Sequence, residues 1–398
     1  MQLTSTNDSL TLDVSARPIV ATRARLDSID LLRGLVMVIM ALDHVRDFFT
    51  DIPYDPLDLT QTTPALFLTR WITHFCAPTF VFLAGASAYF VGKRRDRAAL
   101  SRFLLTRGAW LVLLEFTVIY WVWTSDLTFH DGFFLQVFWA IGVSMIALSL
   151  LVRLPVAAVG AFGIAMIVGH NAFDGVAPQS FGAAAPLWHL LHVPGRVGPG
   201  FCLYPLIPWI GVMAAGYAFG TVYDLPAERR RRVLVMLGGG AIALFVLLRS
   251  GNFYGDAQPW SSQRNGLYSF LSFIDVVKYP PSLLYLCATL GPGMLLLSAF
   301  EHARGAIAQI FVTIGRVPLF FYVLHVALAH WLAGILFYVR LGSTQMLTSI
   351  PNAPPAGWGF ELPGVYGFWL LVVVLLYPLC RWFAGVKARR SDWWLSYL

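Results

Sequence analysis

The chain has 398 residues, of which 58% are hydrophobic and only 12% are charged, and its formal net charge is +7. Soluble domains usually have about half apolar and a quarter charged residues, so this composition excludes an ordinary soluble protein. The basic residues lie next to apolar blocks instead of forming a stripe on a polar domain, which argues against nucleic-acid binding. The sequence therefore predicts a protein that resides in a lipid bilayer.

The N-terminal segment precedes the first apolar block. Residues 1–25 are polar and rich in Ser and Thr, and their positive charges follow no apolar core of the kind that a cleavable signal peptide contains. We therefore expect the first span to insert intact. The predicted organisation is a polar cytoplasmic tail over residues 1–25, a single transmembrane domain over residues 26–386 and a basic cytoplasmic tail over residues 387–398.

Apolar blocks of about twenty residues predict an all-α polytopic membrane protein, because a helix needs that length to cross a hydrocarbon core. No alternating ten-residue pattern indicates a β-barrel. The ten predicted spans are 29–49, 67–91, 107–124, 133–152, 155–170, 202–222, 233–249, 280–300, 308–338 and 364–383. The ninth block is long and contains Pro318, so a short entry helix is expected before the span proper, and a count of eleven stays open.

The positive residues predict the orientation of these spans. With a cytoplasmic N-terminus, most Lys and Arg residues, including the run Arg229 to Arg232, fall in cytoplasmic loops. Both termini are then cytoplasmic. The large outside loops are residues 50–66, 171–201, 250–279 and 339–363, where a non-cytoplasmic substrate would be met.

The spacing of cysteine and histidine residues indicates no metal-binding motif. Each of four cysteines stands alone in an apolar stretch, which predicts neither a disulfide nor a thiolate site: Cys76, Cys202, Cys287 and Cys380. His189 and His192, three residues apart, could bind a metal, but no third ligand is evident and an interfacial helix is favoured. No metal site is predicted.

The first predicted span carries ionisable residues near both ends. A charged group in the bilayer core costs at least about 2.5 kcal/mol, so it is usually paired, turned inward and functional. Asp30 and Arg33 are three residues apart on one helix face and predict a pair near the cytoplasmic entrance. Asp43 and His44 lie roughly 21 Å along the helix from Ile29, in its outer half. A histidine near a carboxylate has the arrangement that a general base requires.

Two further histidines fall at a similar depth. His74 is roughly 10 Å from the outer end of the second span, and His325 is about fourteen residues from the start of the ninth. One intramembrane histidine most often bonds a neighbouring helix, but the shared depth of three predicts one polar pocket with Asp43 and Lys278. Asp43 and His44 project about 100° apart, so Asp43 could instead serve either of the other histidines.

Three sequence blocks carry a family resemblance. They read SIDLLRGLVMVIMALDH (Ser28 to His44), THFCAPTFVFLAGAS (Thr73 to Ser87) and GRVPLFFYVLH (Gly315 to His325). In order and spacing they resemble the heparan-α-glucosaminide N-acetyltransferase catalytic-domain family, bacterial type, from about residue 26 to the C-terminus. The resemblance implies a transmembrane acyltransferase that takes acetyl-CoA from the cytoplasm and passes the acetyl group to an amino sugar on the far side.

The resemblance also implies site positions, and one of them is missing. Asp43 falls where the lysosomal enzymes have an Asn, His74 where they have an Asp, and His325 on a matching His. The histidine regarded as catalytic in those enzymes lies in the loop after the first span, and residues 50–66 contain none. We therefore expect His44 or His74 to have taken that role.

The leading hypothesis is acetyl transfer across the membrane. His44 or His74, supported by Asp43, would deprotonate the acceptor or carry the acyl group. Arg33 and Arg316 would contact the CoA phosphates, and Arg316 is also a candidate partner for Glu115 in the third span. The residues expected at the acceptor are His325, Asp47, Arg70 and Lys278.

The alternative is a proton-coupled transporter that uses the same histidines and carboxylates, although the internal repeat common in transporters is not evident. On the leading hypothesis the partners are membrane lipid, an acyl-CoA donor and a glycan or amino-sugar acceptor, with no nucleic acid. Homo-oligomerisation stays open. The expected location is a bacterial inner membrane.

Overall fold

Helices make up most of the fold in this computed structural model, which describes residues 17–129, 132–348, 355–390 and 392–396. Residues 1–16 of the predicted N-terminal tail and residues 391 and 397–398 of the predicted C-terminal tail lie outside that description. The helices, in chain order, are α1 (Arg17–Phe49), α2 (Pro64–Trp71), α3 (Cys76–Gly92), α4 (Arg97–Leu114), α5 (Tyr120–Thr124), α6 (Val137–Leu151), α7 (Val156–Gly169), α8 (Ala185–Leu191), α9 (Leu206–Phe219), α10 (Ala227–Ser250), α11 (Gly266–Ile274), α12 (Leu283–Phe300), α13 (Ala306–Gly315), α14 (Pro318–Leu341), α15 (Gln345–Thr348) and α16 (Leu362–Arg389).

Eight helical segments in the described ranges are long and apolar enough to cross a membrane. They are Pro64–Gly92, Arg97–Thr124, Val156–Phe173, Leu206–Asp224, Ala227–Ser250, Leu283–Phe300, Pro318–Leu341 and Leu362–Arg389. The shorter apolar helices are α6 and α13, and α1, with 33 residues and several ionisable side chains, is not among the eight. The prediction of a mostly helical integral membrane protein is confirmed, whereas ten or eleven spans and cytoplasmic termini stay predictions.

The long ninth block divides as its proline predicts. Helix α13 ends at Gly315, and α14 begins at Pro318, which occupies the first position of the new helix. Proline has no N–H to donate and fits the first turn of a helix, where that donor has no intrahelical partner. The predicted short entry helix before the span is therefore confirmed.

Side-chain caps determine where two of the spans begin. The Asp96 carboxylate accepts a hydrogen bond from the backbone N–H of Ala99 at 2.8 Å at the start of α4. The Ser282 hydroxyl accepts from the N–H of Tyr285 at 3.0 Å at the start of α12. Such caps satisfy N–H groups that have no partner within the helix.

Helix α1 lies at the centre of the fold and packs against α3, α12, α13, α14 and α16. It crosses α13 with the two backbones in contact. A Cβ on Gly34 would lie 1.8 Å from the carbonyl oxygen of Phe311, and one on Gly315 would lie 1.8 Å from that of Asp30. Only glycine permits such an approach, a common device for packing helices in membranes. This crossing holds the entry to α14 against α1.

A small sheet lies beside the first span. Its strands are β1 (Phe134–Leu135), β2 (Gly195–Val197) and β3 (Gly200–Cys202), in the order β1-β3-β2. Strand β1 pairs in parallel with β3, and β2 pairs antiparallel with β3. This pairing brings the segment before α6 next to the segment before α9, and both segments contribute to the site described below.

Candidate active site

A cavity of about 240 Å³ lies near the C-terminal end of α1, and we call it the histidine cavity. The sequence predicts that this end of α1 lies in the outer half of the membrane. Asp43, His44 and Asp47 reach it from α1, Arg70 from α2, and Lys278 from the loop before α12. All five were predicted from sequence as site residues. The structure brings them together at one place, although they come from three separate parts of the chain.

His44 is bonded to a second histidine across the interface between α1 and α14. Its Nδ1 lies 2.7 Å from Nε2 of His325, and Nδ1 of His325 lies 2.9 Å from the carbonyl oxygen of Phe321. A carbonyl oxygen only accepts, so Nδ1 of His325 carries the proton and its Nε2, in the neutral ring, is an acceptor. Nδ1 of His44 must then donate. Nε2 of His44 consequently bears a lone pair.

Aromatic side chains surround the His44 ring. Trp123 and Tyr322 contact it edge-on, with ring centroids 4.9 and 5.7 Å away, and the bonded His325 ring lies nearly parallel to it, with its centroid 5.0 Å away. Trp123 Nε1 donates to the Tyr322 hydroxyl at 3.2 Å, so the Tyr322 O–H proton is available to another acceptor. His44, Trp123 and Tyr322 all line the histidine cavity, whereas His325 is fully buried behind His44.

Asp43 is paired with arginines. Arg46 Nη2 lies 2.9 Å from Asp43 Oδ1 and also bonds Asp47 at 2.7 Å, and Arg70 Nη1 lies 3.1 Å from Asp43 Oδ2. Within the described ranges no hydrogen bond joins Asp43 to a histidine ring. The group that orients His44 is therefore His325. From sequence, His325 was predicted to lie in the same pocket but not to bond His44.

His74 lies apart from this arrangement. It is 1% exposed, in the 3₁₀ turn Ile72–Phe75, and its ring lies edge-on to Tyr285 at 5.5 Å. Its backbone carbonyl accepts from the Tyr285 hydroxyl at 2.8 Å. His74 does not line the histidine cavity as described. Of the three histidines expected to converge, His44 and His325 bond each other, and no hydrogen bond among the described residues joins His74 to either of them.

A second cavity, of about 260 Å³, lies toward the opposite end of α1, and we call it the basic cavity. Its polar lining includes four cationic side chains: Arg33, Arg107, Arg316 and Lys387. No carboxylate is among the described residues that line it. Arg33 and Arg316 were predicted from sequence as donor contacts, whereas Arg107 and Lys387 were not among the predicted site residues. Nothing in their sequence pattern distinguishes them from other loop cations.

Two of these cations are held by neighbouring groups at the edge of the basic cavity. Arg33 Nη1 bonds Asp30 at 2.9 Å, which confirms the predicted pair, and Nη2 bonds the Ser87 hydroxyl at 3.1 Å. Arg316 Nη2 bonds Asp27 at 2.7 Å. These contacts fix the positions of both guanidinium groups beside the cavity.

The suggested Arg316 partnership with Glu115 is wrong. Glu115 lies in a π-helical turn between α4 and α5, and its carboxylate accepts from the backbone N–H of Trp139 at 2.8 Å, in the first turn of α6. Arg316 pairs with Asp27 instead. A buried carboxylate can satisfy free N–H groups at a helix start as well as a cation can, and sequence alone does not distinguish these partners.

The two cavities adjoin near the middle of α1. Four residues line both of them: Met40, Phe80, Val137 and Tyr322. Met40 lies one helical turn before His44 on α1, so the His44 ring lies next to the shared wall. A molecule in the basic cavity and another in the histidine cavity would thus approach each other beside His44 and Tyr322.

The loop that carries Lys278 is held by a buried arginine. Arg249, 1% exposed at the end of α10, donates to the backbone carbonyls of Phe273, Ser272 and Gln258 at 3.0, 3.1 and 2.6 Å, and also to that of Asp275. Burial raises the pKa of the Asp275 carboxyl to about 7, against the opposing effect of Arg249. The histidine cavity is thus closed on one side by a loop with a fixed backbone.

A family described as "Heparan-alpha-glucosaminide N-acetyltransferase, catalytic" matches residues 25–250 of the chain. The match begins within α1 and ends with the last residue of α10, so it includes Asp43, His44 and Arg70. His325 and Arg316 lie beyond it, although the resemblance was expected to reach the C-terminus. No curated protein matches the chain.

Proposed function

The chain belongs to the heparan-alpha-glucosaminide N-acetyltransferase catalytic family, and from this premise we propose that it moves an acetyl group from acetyl-CoA in the basic cavity to an amino sugar or glycan in the histidine cavity. The family is one of membrane acetyltransferases. The observation that carries the proposal is that the two cavities adjoin beside the His44 ring. With cytoplasmic termini, the donor would enter from the cytoplasm and the acceptor from the far side.

The basic cavity suits the donor. CoA carries a diphosphate and a further phosphate at one end and an uncharged pantetheine arm with the thioester at the other. Arg33, Arg107, Arg316 and Lys387 provide the cations that recognise phosphate oxygens, and arginine does so with two parallel hydrogen bonds. The remaining lining is largely apolar, with Met37, Leu111 and Phe138 among it, and suits the uncharged arm. The residues present therefore fit acetyl-CoA.

His44 is the proposed catalytic base. Bound acetyl-CoA would supply an activated thioester carbonyl. As the acceptor nitrogen forms its bond to that carbon, Nε2 of His44 takes the proton that the nitrogen loses; the carbon–sulfur bond then breaks, and the proton can pass to the departing thiolate. His325 holds His44 in the required tautomer, because its Nε2 accepts from Nδ1 of His44. The Tyr322 hydroxyl, whose oxygen accepts from Trp123, is the proposed donor to the developing oxyanion.

The histidine cavity suits a carbohydrate acceptor. Its wall combines aromatic rings, such as Trp123, Tyr204 and Tyr279, with the carboxylate of Asp47 and the ammonium group of Lys278. Ligand sites typically pair a mostly apolar wall with a few charged or hydrogen-bonding groups that fix orientation. A sugar ring offers both an apolar face and hydroxyl or amino groups to such a wall.

The test is transfer of labelled acetyl from acetyl-CoA to glucosamine by the purified chain in lipid nanodiscs. His44→Ala should lower the rate by about 10² to 10⁴, the usual contribution of a positioned base. His302→Ala is the matched control, because His302 is exposed near the end of α12, outside both described cavity linings. Wild-type rates in His44→Ala would refute the assignment of the base.

A binding measurement addresses the donor separately. Acetyl-CoA should raise the unfolding temperature of the wild-type chain, since a ligand that binds only the folded state stabilises it. A proton-coupled transporter has no reason to bind CoA. Absence of any stabilisation at saturating acetyl-CoA would therefore count against the donor and favour the transporter.

A further inference from the structure

Three side chains with metal-ligating atoms meet where α7 ends, and none of them lines the histidine or the basic cavity as described. They are His170 and Asp174, just after α7, and His192, just after α8. Each offers one ligand atom, and these atoms lie within 4.8 Å of one another. We propose that the three residues bind one divalent transition-metal ion of the zinc class. This site is independent of the acetyltransferase proposal.

The histidine rings are buried with few polar partners. His170 is 2% exposed and His192 is fully buried; the backbone of Pro281 approaches the His170 ring, and neither nitrogen of the His192 ring makes a hydrogen bond to a described residue. A buried polar atom without a partner is unfavourable, and native proteins contain few of them. Such nitrogens in two facing rings, with centroids 5.6 Å apart, indicate that a further group belongs between them.

The spacing of His192 and Asp174 matches that of two ligands on one ion. Nε2 of His192 lies 3.3 Å from Oδ1 of Asp174 without forming a hydrogen bond. Two ligands at about 2.0 to 2.1 Å from a tetrahedral zinc ion are separated by about 3.3 to 3.4 Å. An ion pair between these two residues alone would leave the second nitrogen of the nearby His170 ring without a partner.

A second set of contacts orients the ligands. Asn171 Nδ2 donates to Oδ2 of Asp174 at 2.8 Å, which leaves Oδ1 directed at His192. Asn171 Oδ1 accepts from the N–H of Leu283 at 2.9 Å, in the first turn of α12. The backbone of Pro281 approaches the His170 ring and can accept its remaining ring proton. Outer contacts of this kind orient the ligands in established metal sites.

The donor set determines the class of ion. Two imidazoles and one carboxylate suit zinc and its neighbours among the transition metals, whereas calcium and magnesium prefer oxygen ligands only. Three protein ligands leave a fourth position for water. The ion would join the end of α7 to the end of α8, and through Asn171 to the start of α12.

The sequence contains a different pair of histidines with the spacing of metal ligands. His189 and His192 have a ligand-like spacing, but His189 Nδ1 lies 3.1 Å from the backbone oxygen of Val193 instead of joining the cluster. His189 is therefore a matched control for His192. It is also a histidine of the same segment, but it lies outside the cluster of ligand atoms. On the predicted topology the site faces the non-cytoplasmic side.

The experiment uses the full chain purified with a tag that contains no histidine, stripped with a chelator and then titrated with Zn²⁺ or Co²⁺. Bound metal is measured by mass spectrometry after desalting, and Co²⁺ also reports its geometry through visible absorption. The wild type and His189→Ala should bind one ion per chain, with tetrahedral cobalt bands and a Zn²⁺-dependent rise in unfolding temperature. His192→Ala and Asp174→Asn should lose at least about tenfold in affinity.

Two outcomes would overturn the site. One is a wild-type chain that retains no more Zn²⁺ than His192→Ala, and the other is loss of binding in His189→Ala. If His192→Ala does not fold, Asp174→Asn decides the question, because it keeps the shape of the side chain and removes the anionic ligand. Since no acetyl-CoA is present, failure here leaves the proposed acetyl transfer unaffected, and the reverse also holds.

Discussion

The two cavities beside α1 differ in the charges that line them. In the histidine cavity, Asp43 and Asp47 are bonded to Arg46, and Asp43 also to Arg70, so most charges are compensated within the wall. In the basic cavity, four cations line the wall, and the carboxylates that hold two of them, Asp27 and Asp30, lie outside the lining.

This difference indicates what each cavity would bind. A wall with several cations and no carboxylate of its own is stabilised by a polyanion, whereas a wall whose charges are paired within it favours an uncharged or weakly charged guest. The compensated network also fixes the side chains around His44, as a catalytic group requires. We therefore expect mutations in the histidine cavity to alter the chemical step and mutations in the basic cavity to alter donor binding.

The largest effect is expected from the histidine behind His44. His325→Ala removes the acceptor that holds the His44 tautomer, so kcat should fall by about 10², at the low end of what a positioned base contributes. His325→Gln should recover part of this loss, because its amide oxygen can accept from Nδ1 of His44. The measurement is the pH profile of kcat, normalised to folded protein.

His74→Ala sharpens this prediction as a control. His74 is as deeply buried as His325. It is not among the described residues that line the histidine cavity, and no hydrogen bond between described residues joins it to His44. Its kcat per folded molecule should stay within about twofold of wild type. If His74→Ala lost as much activity as His325→Ala, the choice between the two histidines would have to be reversed.

A smaller effect is expected in the basic cavity. Arg107→Gln and Lys387→Gln each remove one cation from the donor wall, and a charge-assisted hydrogen bond is worth about 1.5 kcal/mol at the lower end, so the KM for acetyl-CoA should rise about tenfold. The KM for the acceptor should not change. Added salt should weaken donor binding in the wild type more than in either variant.

Arg304→Gln provides the matched control for these two variants. Arg304 is a cation of the cytoplasmic loops predicted from sequence, and it lies outside the described lining of the basic cavity. Donor KM should be unchanged in Arg304→Gln. An equal rise in all three variants would mean that general surface charge, and not the basic cavity, governs donor binding.

The sequence predicted the site better where helical geometry determines it. Asp30 pairs with Arg33 because three residues bring side chains to one helix face, and Asp43 and His44 reach one cavity because they are neighbours near one end of α1. The break at Pro318 follows from proline chemistry. These are consequences of local spacing, which a sequence displays directly.

Contacts between side chains on different helices could not be predicted from local spacing. Depth along a helix placed His74 and His325 equally well, but rotation about the helix axis determines that His325 reaches His44 and that His74 faces Tyr285. Likewise Arg107 and Lys387 converge on one wall from α4 and α16, which lie far apart in the chain. Rotation and packing depend on complementary surfaces of several helices, and the apolar pattern of a buried helix does not specify them.

The last prediction concerns stability instead of activity, in the loop that closes the histidine cavity. Burial raises the pKa of Asp275 from 3.8 to about 7, so from about pH 4 to pH 7 the unfolded chain releases this proton before the folded chain does. The wild type should therefore lose stability over that range and reach a plateau above pH 7. Asp275→Asn should lack this decline and unfold at a slightly higher temperature than wild type near pH 8.

Thermal unfolding can be followed with a thiol-reactive dye, because all four cysteines are buried in the folded chain. Asp51→Asn, in which an exposed carboxylate is removed from another loop, should keep the pH dependence of the wild type. If Asp275→Asn and wild type showed the same decline between pH 4 and pH 7, the carboxyl of Asp275 would be ionised in the folded chain throughout. The loop would then carry a charged carboxylate beside Arg249 instead of a neutral carboxyl.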